Sequence, residues 1–399
     1  YKMESNLYFY LEPYVYLHVG DKSLLMVNLL DDRTLVFSDK KSIQVALKLV
    51  SDSHRTVKIK EEDISLPLVV SARACFMGDV TCSVSQPFQF YPEINVIQEG
   101  KAYRKTISYT KTNIYSHIMQ CTVFIDFSHQ DCKEYIDYCI GEDSSSAIFH
   151  SLTDKSVSRR KLDKYLERLS NINVAMKTYL CGAGVELLDS FLIEKFPNLV
   201  FVYSVRTLTE NPRIYKRLVS DKLPYILMLD LAEEVTAFDL NSPLELWGKI
   251  SGKESICIYE QLVKQGKRVR PFIIKNSQNL DLIKETITFT KEELLNIKNK
   301  FQVIKSNNLI NTNFWGHIYV LPDGSVSYSL MEDKIQFTDM KHLQEDFKKK
   351  FFQGNFSWTQ LRRYPQCLKC VFRYLCPSPS YLENILRNDG VLVCLLKTM

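Results

Sequence analysis

Residues 199–231 read LVFVYSVRTLTENPRIYKRLVSDKLPYILMLDL and decide the fold of the middle of the chain. The apolar runs Leu199–Val205 and Tyr225–Leu231 predict buried strands, and Pro212–Ser220 between them predicts a helix. Two buried strands joined through a helix are typical of parallel pairing, because parallel strands need a long crossover connection. The stretch therefore predicts an α/β fold with a parallel sheet.

The same alternation extends upstream. Cys121–Phe127 and Val174–Leu180 predict two more strands, and Glu186–Phe196 predicts a helix. Apolar residues at helical spacing indicate another helix before the second of these strands: Leu162, Tyr165, Leu166 and Leu169. Strand–helix alternation at this spacing favours a parallel sheet with covering helices.

Downstream, Thr290 and Glu293 form a capping box, which predicts a helix running through about Val303. We count about five or six strand–helix units, which is fewer than the eight of a closed barrel. The sequence therefore predicts a degenerate partial (β/α) barrel over residues 116–305. Residues 66–115 are broken by prolines and are predicted to form a connector.

The first 65 residues predict a small sheet followed by a helix. The strand-forming runs are Tyr14–Val19, Ser23–Leu30 and Thr34–Ser38, and turn residues separate them. We expect the third strand at an edge of the sheet, where an extended peptide can add a strand. Residues 1–65 are therefore predicted to be a peptide-recognition-like module. Its predicted peptide-binding residues are Arg33, Thr34, Leu35 and Val36.

Charge and composition limit the classes of partner that we expect the protein to bind. The 399 residues carry 51 Lys and Arg against 46 Asp and Glu, and no basic stripe with interleaved aromatics is present, so we expect no nucleic-acid partner. No apolar stretch approaches the ~20 residues that span a bilayer, and no signal-peptide pattern opens the chain, so we expect no membrane partner and a cytoplasmic location. Eleven cysteines is an odd number, which favours metal binding or catalysis over a fully paired disulfide framework.

The densest chemical signal is Cys367-Leu-Lys-Cys370-Val-Phe-Arg-Tyr-Leu-Cys376-Pro377. A two-residue spacer lets two thiolates converge on one ion or cluster, and Cys394 lies 18 positions beyond Cys376. Four cysteines suit tetrahedral Zn²⁺ or a [4Fe–4S] cluster. The alternative is ordinary buried thiols, above all for Cys394, which sits in an apolar run.

Residues 306–399 resemble the SPASM domain of radical SAM peptide maturases. A hairpin with a turn at Gly324 precedes the cysteines, and the family spacings of two and five residues are kept. Ser329 and Ser380 stand where that domain has cysteines of its first auxiliary cluster. The positions of the second cluster all keep Cys. The resemblance implies one metal site, held by Cys367, Cys370, Cys376 and Cys394.

The radical-forming signature, three Cys spaced by three and then two residues, is absent from the sequence. After the first predicted barrel strand only Cys132 and Cys139 follow, with six residues between them. Further short stretches also resemble the pseudo-radical-SAM family of bacterial ribosomal-peptide systems: Tyr8–Tyr16, Phe76–Asp79, Asn311–Gly316 and Leu375–Ser380. This resemblance implies that no S-adenosylmethionine is bound. It also implies two partners, a precursor peptide and a true radical SAM peptide maturase.

The sequence therefore favours a non-catalytic partner in peptide maturation with one four-cysteine metal site. One alternative keeps redox activity, either through an atypical cluster at Cys121, Cys132 and Cys139 or through electron relay from an Fe–S cluster at the C-terminal site. A second alternative is a binding module stapled by zinc.

Overall fold

Three sheets organise the protein. The computed structural model describes residues 6–52, 55–87, 114–140, 156–231, 239–274, 279–330, 338–339, 342–353 and 356–397. Within these residues the strands form two three-stranded sheets, ordered β2-β3-β4 and β5-β1-β6. A nine-stranded sheet has the order β12-β11-β10-β9-β8-β7-β13-β14-β15.

The strands of the described residues run, in chain order, β1 Asn6–Leu11, β2 Val15–Val19, β3 Leu24–Asn28, β4 Thr34–Phe37, β5 Thr56–Ile59, β6 Gly78–Ser83, β7 Gln120–Phe124, β8 Lys177–Cys181, β9 Leu199–Ser204, β10 Tyr225–Asp230, β11 Glu245–Ile250, β12 Val269–Ile273, β13 His317–Val320, β14 Ser325–Ser327 and β15 Thr338–Asp339.

The α-helices run α1 Lys40–Ser51, α2 Pro67–Ala74, α3 Gln130–Ile140, α4 Arg159–Ile172, α5 Ser190–Lys195, α6 Val205–Glu210, α7 Pro212–Ser220, α8 Lys253–Lys264, α9 Leu280–Ile287, α10 Lys291–Leu295, α11 Lys300–Leu309, α12 Leu343–Gln353, α13 Pro365–Leu368 and α14 Tyr381–Asn388. In the described part of the chain, no helix combines the length and the apolar character that a membrane crossing needs.

The large sheet confirms the predicted α/β class. Strands β7 to β12 and β13 are mutually parallel, and β14 and β15 continue the sheet in antiparallel pairing. The unit predicted from residues 199–231 is present, since β9 pairs with β10 and places Phe201 beside Tyr225. Among the described residues the sheet ends at β12 and at β15 without closing, so the partial barrel stays a prediction.

Both faces of this sheet are buried, as parallel sheets require. Alternate residues of β9 point to opposite sides. Phe201 and Tyr203 join a core under α4, to which Leu162 and Leu166 belong. Val200 and Val202 join a second core, which contains Tyr135 of α3. The predicted stripe Leu162, Tyr165, Leu166 and Leu169 is the buried face of α4.

The N-terminal residues form the predicted strands and helix, and one further sheet. β2, β3 and β4 are antiparallel neighbours, and α1 follows them. β1 pairs on one side with β5 and on the other with β6. Residues 78–83, which the sequence places in the connector, thus belong to the same sheet as the start of the chain.

The helix predicted from Thr290 through about Val303 is wrong in its extent. Its start is confirmed, because the Thr290 side chain accepts from Glu293 N and the Glu293 carboxylate accepts from Thr290 N. The helix ends at Leu295, and Asn299 takes a left-handed conformation with φ 56° before α11 begins. A left-handed residue cannot continue a right-handed helix, so the segment forms two helices.

Candidate functional site

The cysteine loop, residues 365–377, is folded on itself by local hydrogen bonds. Pro365 opens the short helix α13, which holds Cys367. Cys370 N then donates to Cys367 O at 3.2 Å, and Cys376 N donates to Phe372 O at 2.9 Å. These hydrogen bonds form tight turns at Cys367–Cys370 and at Phe372–Cys376.

The fourth cysteine returns to the same place from the chain's last segment. Phe289 N donates to Leu395 O at 2.7 Å and Lys397 N donates to Phe289 O at 2.8 Å, which fixes that segment beside α10. Leu392 and Leu395 fill an apolar core there, whereas Cys394 is only partly buried and does not belong to that core.

The four predicted ligands lie within electrostatic range of one another. Burial raises the pKa of Cys376 to about 12, the Arg362 guanidinium lowers it, and the Cys367, Cys370 and Cys394 thiols raise it. Burial likewise raises the pKa of Cys370. Within the described ranges, no three His, Cys, Asp or Glu side chains are arranged to hold a metal ion. The loop and the segment that holds Cys394 thus place the four thiols within electrostatic range of one another, and the metal site itself stays a prediction.

A buried ion pair borders these thiols. Arg362 donates to both Glu383 carboxylate oxygens, at 2.6 and 2.7 Å, and the two side chains are 3% and 2% exposed. The same guanidinium lies 4.0 Å from Cys367 Sγ, and Arg387 also pairs with Glu383. Because a fixed cation beside thiols favours their ionised form, the donor set fits a four-thiolate site chemically. Sequence reasoning missed Arg362 and Glu383, since no local spacing signals a contact across 21 residues.

The cysteine loop packs directly on the β2–β3–β4 sheet. Asp21 N donates to Lys369 O at 3.4 Å, and His18 Nδ1 lies 3.0 Å from Val371 O. A Cβ on Gly20 would come within 2.5 Å of Lys369 O, so only glycine permits this approach. Ten buried side chains form what we call the shared core: Tyr16, Leu25, Val27, Leu294, Ile304, Val371, Phe372, Tyr374, Leu375 and Cys376.

The predicted peptide-binding residues lie in and just before β4. Among the described residues, β4 is the last strand of its sheet, with β3 on one side. Arg33 precedes it and pairs with Asp31 at 2.6 Å on the surface. Leu35 packs toward the helices of the N-terminal module, and Val36 packs against the shared core.

A β-bulge sets the register of β4. Asn28 N donates to Arg33 O and Asp32 N donates to Asn28 O, both at 2.9 Å, and Asp32 has φ 63°. Two residues of one strand thus oppose one of the other. Because bonded and non-bonded pairs alternate along an antiparallel ladder, Thr34 and Val36 direct their backbone N–H and C=O groups away from β3. Within the described ranges, no further strand pairs with these groups.

The cysteines of the predicted atypical cluster are divided between the two faces of the large sheet. Cys121 belongs to the core under α4, whereas Cys132 belongs to the opposite core and Cys139 packs against that one. Cys132 instead meets Cys181, a neighbour that the sequence did not reveal. Cys132 Sγ donates to Cys181 O at 3.4 Å, and Cys181 Sγ donates to Asp131 O at 3.3 Å.

Comparison with known proteins adds one structure. No protein-family model matches the chain, and no curated protein matches it. The crystal structure of Streptococcus suis SuiB bound to S-adenosylmethionine matches with a TM-score of 0.37 and 8% identity, over 94% of this chain and 96% of that chain. No residue of this chain takes a role from that match.

Proposed function

We propose that this chain is a non-catalytic partner in the maturation of a ribosomally made peptide, and that β4 accepts the precursor peptide as an added strand. The observation that carries the proposal is the difference between the two edges of the β2–β3–β4 sheet. The β2 edge and the turn after it lie against the cysteine loop, through His18 and Asp21. β4 has no strand beyond it in the described residues. An open edge with outward N–H and C=O groups binds extended peptides through main-chain hydrogen bonds.

The absence of catalysis is supported by the cysteines near the first strands of the large sheet. The sequence has no Cys-x3-Cys-x2-Cys. Cys121 and Cys139 lie on different faces of the sheet. Thiols on opposite faces of one sheet do not converge on a single cluster.

The metal in this proposal is one [4Fe–4S] cluster or one Zn²⁺, held by Cys367, Cys370, Cys376 and Cys394. When bound, it supplies a structural crosslink with no open coordination position. The four thiols hold it, while Arg362 offsets part of their negative charge from 4.0 Å away. The second partner that we propose is a radical SAM peptide maturase, which the sequence resemblance supports.

The binding site is tested by Val36→Pro. Proline removes the outward N–H of residue 36 and leaves the bonds to β3 in place, so the sheet is expected to fold. The probe is a fluorescently labelled precursor peptide encoded beside this chain's gene, and the readout is anisotropy. We expect Val36→Pro to weaken binding by about tenfold or more, which is about 1.4 kcal/mol.

Val36→Thr is the matched control, because it keeps the β-branched shape and the N–H. Its affinity is expected to stay within about twofold of the wild type. Equal affinities for Val36→Pro and Val36→Thr, with equal melting temperatures, would show that the peptide does not add to β4.

The absence of catalysis has its own assay. The anaerobically prepared protein is incubated with S-adenosylmethionine and a low-potential reductant. We expect no deoxyadenosine above the level that the same mixture without protein gives. Protein-dependent release of deoxyadenosine would contradict the non-catalytic assignment and leave the peptide-binding test unaffected.

A further inference from the structure

An aromatic cavity of about 380 Å³ lies on the face of the large sheet that α3 covers. Its walls come from β8, β11, β12, β13, α3 and the first turn of α14. The rings that line it include Tyr135, Tyr138, Tyr179, Trp247, Phe272 and Tyr319. Small-molecule sites typically measure about 300–1,000 Å³ and are lined by aromatic side chains with a few polar groups, so this cavity has the size and lining of a ligand site.

Arg270 is the one cationic residue among the described residues that line this cavity. The Arg270 guanidinium lies 5.7 Å from the ring centroid of Trp247 and 5.2 Å from that of Phe272. Both distances lie within the ~6 Å range of a cation–π interaction, which holds the guanidinium beside the two rings. The Arg270 side chain is exposed, and its guanidinium makes no ion pair or hydrogen bond with another described residue. Its N–H donors are therefore available to a ligand at the opening of the cavity.

The charge around Arg270 is not balanced within the cavity. Among the described residues that line it there is no Asp and no Glu. The neighbouring carboxylate of Glu245, outside the lining, accepts a hydrogen bond from Trp247 Nε1 at 3.0 Å. His317 lies in the wall as a neutral ring, because burial lowers its pKa to about 3. The cavity therefore carries a single positive charge in an aromatic lining.

We propose that this cavity binds a small planar aromatic carboxylate. Arginine matches a carboxylate with two parallel N–H···O bonds, and the N–H donors of Arg270 are available for them. The flat ring of the ligand then lies among Tyr179, Trp247 and Phe272, whose faces favour offset or edge-to-face contact. This site is separate from the β4 edge, and neither proposal requires the other.

The test uses the full-length protein and three acids as probes: benzoate, 4-hydroxyphenylacetate and indole-3-acetate. Binding is followed by isothermal titration calorimetry, and the amide of each acid is the uncharged counterpart. We expect saturable binding of at least one acid, and binding of its amide that is about tenfold weaker or more. Arg270→Gln is expected to remove this preference for the acid. Arg268→Gln is the matched control, because Arg268 is an exposed arginine two positions away that does not line the cavity.

Each of the following results would overturn the proposal. The first is an absence of saturable binding for all three acids. The second is equal affinity for acid and amide, or an unchanged affinity in Arg270→Gln with an unchanged melting temperature. The third is binding of an acidic aromatic peptide when no free acid binds, which would assign the cavity to a peptide chain.

Discussion

Asp32 joins two distant parts of the chain through a single side chain. Its carboxylate accepts from Asn299 N at 2.7 Å and from Lys300 N at 2.8 Å, so it caps helix α11 from the β3–β4 turn. Lys300 Nζ donates to Asp32 O at 2.8 Å. Asp32 reaches this position with a positive φ, a conformation that Asn and Asp tolerate better than other residues with a Cβ.

Two substitutions separate the backbone conformation of Asp32, its positive φ, from the role of its carboxylate as a cap of α11. Asp32→Gly keeps the backbone freedom and removes the cap, so we expect a loss of about 1–2 kcal/mol of unfolding free energy. Asp32→Asn keeps one acceptor oxygen and is expected to lose less. Chemical denaturation of both variants measures the difference. Equal stability of the two would mean that the carboxylate contributes nothing as a cap.

The buried His317 ring makes the free energy of unfolding depend on pH. Burial lowers its pKa from 6.5 to about 3, and Nε2 lies 2.9 Å from Thr122 Oγ1. Between those values the unfolded chain takes up a proton that the folded chain does not, so stability falls as the pH falls from about 6.5 toward 3. Above pH 6.5 this residue contributes no pH dependence.

We expect His317→Gln to lose less stability between about pH 7 and about pH 4.5 than the wild type does. The measurement is the denaturant midpoint of both proteins at the two pH values. His342→Gln serves as the control, because it removes an exposed histidine. If wild type and His317→Gln lose the same stability on acidification, the buried ring is not responsible.

At the scale of elements, the cysteine loop and the β2–β3–β4 sheet form one structural unit. Val371, Phe372 and Cys376 share a core with Tyr16 and Val27. Because metal binding at such a site is coupled to folding, the proposed metal stabilises the strands as well as the loop.

The change Cys370→Ser is expected to lower metal content and to destabilise residues 356–397. The shared core predicts a second effect, faster amide exchange in β2 and β3. Hydrogen exchange monitored by mass spectrometry detects both. Cys257→Ser is the control, because Cys257 is an exposed thiol on α8. Loss of metal with unchanged exchange in both regions would contradict a structural role for the site.

The elements that the sequence predicted well are those with a strong local pattern. Apolar runs gave β9 and β10, and Pro212–Ser220 coincides with α7. β12 was not predicted, because Arg270 and Pro271 interrupt the apolar pattern that is typical of a buried strand. Pro271 is tolerated there because no strand of the described residues pairs with β12 on its other side. The capping box located the start of α10, but no local signal revealed the left-handed Asn299 that follows.

The candidate sites also divide into one that a local sequence pattern predicts and others that it does not. The spacing of Cys367, Cys370 and Cys376 is visible in the sequence because these residues are close along the chain. The Arg362–Glu383 pair and the Arg270 cavity arise from contacts between separate elements, and residue spacing carries no record of them.

At the scale of the whole molecule, the shared core makes the two ends of the chain depend on each other. We expect β3 and residues 371–376 to exchange their amide protons through the same opening, with equal free energies within error. Native-state hydrogen exchange in increasing denaturant measures this. Exchange of β3 at a much lower free energy than residues 371–376 would show that the N-terminal sheet opens independently.

The shared core also has a consequence for biosynthesis. Tyr16, Leu25 and Val27 leave the ribosome about 350 residues before the cysteine-loop side chains that complete this core, a delay of roughly 17–70 s at 5–20 residues per second. During that time the nascent chain exposes apolar side chains on one face of its first strands. We therefore expect its yield in cells to depend on chaperones that bind β2 and β3 during translation.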